Sequence, residues 1–104
     1  MARLDEIAEG ICTILAASQT PEPLNISLRG EGNAETTFLV RAIIESCQRQ
    51  GLPISEVCVA PDVGADLLKQ YAEQAFGYNG ITMVKSERLT SEIEIYRFPR
   101  NNFG

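Results

Sequence analysis

The sequence predicts an α/β fold with elements in the order α-β-α-β-α-β-β, and three observations carry that expectation. Apolar residues recur at helical spacing over three segments. They alternate, or run together briefly, over four others. Glycine, proline and asparagine punctuate the junctions. The 104 residues are the size of one ordinary domain, and 44% of them are hydrophobic.

The first segment, 4–17, places Leu4, Ile7, Ala8, Ile11, Ile14 and Leu15 on one helical face. Asp5, Glu6 and Glu9 stand near its start, where the helix dipole favours negative charge. Gly10 weakens the middle of this helix by up to ~1 kcal/mol relative to alanine. Two prolines make 18–23 a linker. Leu24, Ile26 and Leu28 then alternate with Asn25, Ser27 and Arg29, the pattern of a strand covered on one side only.

Gly30, Glu31, Gly32 and Asn33 read as a tight strand-to-helix turn, with Asn33 as the N-cap of a helix over 34–50. Phe38, Leu39, Ala42, Ile43 and Cys47 form its apolar face, widened by Val40 and Ile44. Gly51 suits the C′ position and Pro53 forbids continuation. The run Val57, Cys58, Val59 and Ala60 is apolar on both faces and suits an interior strand. Asp62 is placed to cap a third helix, 62–76, which Gly77 stops.

Two strands, 81–85 and 92–98, close the chain and are joined by a polar loop of hairpin length. The expected sheet is therefore four-stranded and mixed, with a terminal antiparallel hairpin. Residues 99–104 read as a flexible tail, so that one domain spans 1–104. The β-α-β-α-β-β stretch resembles the thioredoxin core in element order. The likeness is topological: there is no C-x-x-C, and no proline directly precedes the third strand.

Charge narrows the function classes. Nine basic residues stand against 14 acidic ones, a net charge of -5. Phosphate neutralisation supplies most affinity for nucleic acid, and the dispersed bases give no footprint for it. No apolar run approaches the ~20 residues of a membrane span. The acidic leader before Ile11 is unlike a signal peptide, so the expected location is the cytoplasm. Three cysteines without a C-x-x-C argue against a disulfide framework, and Cys12, Cys47 and Cys58 read as small buried hydrophobes.

Histidine is absent, which removes Ser-His-Asp and Cys-His catalysis together with histidine metal sites. No catalytic residue, metal site or cofactor is expected. Two regions are candidate sites. Gly30, Gly32 and Asn33 could bring backbone N–H groups to an anionic metabolite or nucleotide, although Glu35 would repel a phosphate and no Walker lysine follows. The second is an interface. It combines Asn25, Ser27 and Arg29 on the polar face of the first strand with the aromatic and basic end, Tyr96, Phe98 and Phe103. The favoured reading is a non-enzymatic binding or assembly module that forms a homo-oligomer or meets a protein partner.

Overall fold

The computed structural model describes residues 2–18, 22–28, 32–72 and 81–98. Its elements are α1 (Ala2–Ala17), β1 (Leu24–Ser27), α2 (Asn33–Arg49), β2 (Glu56–Val59), α3 (Pro61–Ala72), β3 (Thr82–Lys85) and β4 (Glu92–Tyr96). The predicted α/β order and mixed sheet are both present. Residues 19–21 of the linker, the end of the expected third helix at 73–76 with its stop at Gly77, and the tail at 99–104 lie outside the described residues.

The strands lie in the order β1-β4-β2-β3. β4 runs antiparallel to both β1 and β2, whereas β2 and β3 are parallel. This corrects the expected terminal hairpin, because β3 and β4 are separated by β2. Burial explains the choice. Ile93 and Ile95 in β4 are fully buried and Glu94 and Tyr96 nearly so, which requires a strand on each side. β3, with Thr82 and Lys85 exposed, suits an edge. The connection between them crosses the end of β2, about 10 Å for two strand spacings. It is pinned there where Ser86 N–H donates to Val59 O and Ala60 N–H donates to Glu92 O.

Register sorts the sheet into two faces. Leu24, Ile26, Ile93, Ile95, Val57, Val59 and Met83 share one side. The crossovers from β1 to β2 and from β2 to β3 join parallel strands and run in the same direction across the sheet, which by the usual right-handed rule puts α2 and α3 together on that side. α3 seats closely there: a Cβ on Gly64 would overlap Val59 Cγ1. α2 lies between α1 and α3, and α3 rests over β2 and β3, so α1 flanks α2 on the β1 side.

α2 ends as expected. Gly51 is left-handed at φ 71°, Gly51 N–H donates to Gln48 O and Leu52 N–H to Cys47 O, which is the Schellman pattern. Its start differs by one residue. Gly32, in extended backbone, is the N-cap, and its carbonyl accepts from both Thr36 N–H and Thr36 Oγ1. Asn33 is thereby the first helical residue and not the cap. Phe38 is exposed, being half a turn from the buried ridge of Val40, Ile43, Ile44 and Cys47. Likewise α1 buries Ala8, Ile11, Cys12 and Leu15, while Ile7 and Ile14 project outward.

The cysteines bring a larger correction. Cys12 and Cys47, both wholly buried, form a disulfide between α1 and α2, with Cα atoms 5.7 Å apart and the two residues 35 positions apart in sequence. An odd cysteine count excluded a complete framework and left room for one bond. Closing a loop of this length stabilises the fold by about 4 kcal/mol in the chain-entropy account. Cys58 stays a buried thiol in β2.

Candidate functional site

The second face of the sheet carries Asn25 and Ser27 from β1, Glu92, Glu94 and Tyr96 from β4, Glu56 and Cys58 from β2, and Thr82 and Val84 from β3. Among the described residues no helix covers it. Its rim at Asn25, Ser27 and Thr82 is exposed. Its centre is closed by its own side chains. Arg88, reaching back from the β3–β4 connection, forks onto Glu94 and donates from Nη1 to Oε2 at 3.2 Å and from Nη2 to Oε1. Tyr96 Oη donates to the same carboxylate at 3.5 Å, and Cys58 Sγ donates to Glu56 Oε2 at 3.1 Å.

This arrangement matches charge with charge. Glu94 is only 8% exposed, and the bidentate guanidinium of Arg88 compensates its charge. The same pairing holds the Arg88 guanidinium above its ordinary pKa. No group of three or more possible metal ligands occurs among the described residues.

The ends of β1 and β2 form the second region. Gly30 lies outside the described residues, as does the Asn33 side chain. Gly32 is described, and the Glu35 carboxylate folds against it: a Cβ there would stand 2.8 Å from Glu35 Oε2. After β2, Asp62 accepts from Ser91 N–H at 2.9 Å and from Ser91 Oγ at 2.6 Å. Those two bonds lower its pKa below the ordinary 3.8. Asp62 lies inside the first turn of α3 and not at its N-cap; its carboxylate clamps Ser91, which holds a left-handed φ of 51°, and also accepts from the N–H groups of Asp62 and Val63. The crevice where α/β sheets commonly take anions thus has carboxylates at Glu35 and Asp62.

Of the interface candidates, register brings Asn25, Ser27 and Tyr96 to one face, with Tyr96 buried. Phe98 is exposed and stacks under the Arg97 guanidinium, 5.0 Å from its centroid. Arg29 and Phe103 lie outside the described residues. Arg97 has a further role that its sequence position does not announce. Its Nη1 donates to Leu15 O at 2.9 Å and to Ser18 O at 2.8 Å, satisfying carbonyls at the α1 C-terminus. Ile14, Leu15, Ser18, Leu24 and Arg97 line an open groove of about 190 Å³ beside it.

The edge at β1 is defined by hydrogen-bond phase. Leu28 N–H donates to Ser91 O at 2.7 Å, in phase with the Ile26–Ile93 and Leu24–Ile95 pairs. Alternation then turns the N–H and C=O groups of Leu24 and Ile26 toward β4 and those of Asn25 and Ser27 outward. No other described strand meets them. No family model, curated protein or solved structure matches this chain.

Proposed function

We propose that this chain is a non-enzymatic binding or assembly module that self-associates. The supporting observation is a half-covered sheet: three helices on one face, and a second face that no described helix covers, with an exposed rim and two unpaired edges among the described residues. Proteins manage such surfaces by charge, cover or pairing, and a two-fold dimer is the commonest pairing. The neutralised Arg88–Glu94 pair at the centre and the uncharged Asn25 and Ser27 at the rim suit contact better than catalysis.

A net charge of -5 favours a protein partner over nucleic acid. No helix among the described residues is long and apolar enough to cross a membrane. Cytoplasmic residence belongs to the same proposal. There the reducing pool would hold Cys12 and Cys47 as thiols, whereas an oxidising compartment would preserve their bond. Thiol labelling of protein taken directly from cells separates the two.

Sedimentation equilibrium tests the central claim. The expected result is a dimer or larger closed assembly at micromolar concentration. A strict monomer at the highest soluble concentration overturns it.

A further inference from the structure

We infer that two copies of this chain join through β1, edge to edge about a two-fold axis, with their α1 helices packed side by side above the joined sheet. The inference rests on the self-association proposed above and names the surface that performs it.

Hydrogen-bond phase is the first support. The outward groups of β1 are those of Asn25 and Ser27, and a two-fold axis perpendicular to the sheet at Ile26 sets each opposite the other. Asn25 of one copy then exchanges N–H···O bonds with Ser27 of the partner subunit, and Ser27 with Asn25 of the partner subunit. The same register keeps both apolar faces on one side. Ile26 meets Ile26 of the partner subunit, and Leu24 meets Leu28 of the partner subunit. Leu24 and Ile26 are only half-buried now, as expected of side chains waiting for a neighbour.

α1 supplies an independent second support. Cys12 points at α2 through the disulfide. Ile7 and Ile14 lie about 140–160° round the helix from it, on the flank away from α2 and above β1. Ile14 and Leu24 indeed line one groove. Ile7, Gly10, Ile14 and Ala17 follow one another along this flank at helical spacing, and all four are exposed and uncharged. Asp5 and Glu9 stand about 20° and 60° round the helix from Cys12, away from this flank, and Glu6, at about 120°, stands at its outer margin. Nothing lies within 4 Å of a Cβ built on Gly10, so the subunit itself has no steric need for glycine there. A second helix at close range does.

The far edge differs. β3 ends in Lys85, paired with Glu87 at 3.5 Å, and charge of this kind blunts an edge against pairing. A chain of net charge -5 repels its copies in general, and the uncharged residues of β1 and of the α1 flank, bordered by Glu22 and Arg97 in the groove between them, offer a strip where two of them can close.

The test compares the wild type with Asn25→Pro and Ile14→Lys by sedimentation velocity, with circular dichroism of each. Asn25→Pro removes an outward N–H and leaves the β4 side of the ladder intact. Ile14→Lys places charge on an exposed flank position and will not disturb folding. A dimeric wild type with a folded, monomeric Ile14→Lys variant, or an affinity reduced at least about tenfold, supports the inference. A folded, monomeric Asn25→Pro adds the strand to the flank. A dimeric wild type whose Ile14→Lys variant dimerises equally well overturns the inference and leaves self-association through another surface standing. A monomeric wild type overturns both.

Discussion

Asp62 shows how much a single exposed side chain can settle. It holds Ser91 by two hydrogen bonds, and Ser91 is the left-handed residue from which β4 begins. Its carboxyl titrates lower in the folded state than in the unfolded chain. Its contribution to stability is therefore complete above about pH 4 and is lost as pH falls through the folded-state value. Thermal melts from neutral to acid pH should show wild type and Asp62→Asn converging in that acid range. Arg88 offers a sharper case, since its removal strands the nearly buried Glu94. Arg88→Met should lower the denaturation midpoint, and the double change Arg88→Met with Glu94→Leu should recover most of that loss. None of these pairings was legible from the chain. Asp62 and Ser91 are 29 positions apart, Arg97 and Leu15 are 82, and only the strand order brings them together.

Secondary structure was written plainly in apolar spacing, because each element has one side to bury. β1 alternates, β2 is apolar after Glu56, and Gly51 closes α2 as its left-handed backbone requires. Pairing was less legible. Alternation in β4 marks its inner face but does not say which strands flank it, and a loop of six residues serves a hairpin or a crossing equally well. Helix orientation was partly misread for the same reason. Ile7, Ile14 and Phe38 are apolar, but the faces that meet neighbours lie elsewhere on their helices. The disulfide had one faint signal, in that Cys12 and Cys47 both sit on or beside apolar stripes of consecutive helices. Serine at both positions should lower stability by about 4 kcal/mol, measured against the oxidised wild type by chemical denaturation. Gly64→Ala should cost about 1–3 kcal/mol by forcing α3 off Val59, readable as a lowered denaturation midpoint.

At the scale of the whole molecule, acidity and uneven cover work together. Charge keeps copies apart over most of the surface, and added salt weakens that repulsion. If assembly proceeds through the uncharged β1 side, sedimentation at increasing ionic strength should show tighter association. Association that weakens with salt would point instead to attraction between unlike charges. The candidate sites were half legible at this level. The polar side of β1 announced an uncovered sheet, while the neutral centre built by Arg88 and Glu94 did not appear until β4 took its place beside β2.

The bond between Cys12 and Cys47 has one more implication, because β1 lies within the stretch of chain it encloses. A tethered ring cannot hand that strand to a neighbour in trade for the neighbour's own. Oxidised subunits must meet as finished pieces and part as finished pieces, so mixing two labelled populations should scramble them at the pace of simple dissociation.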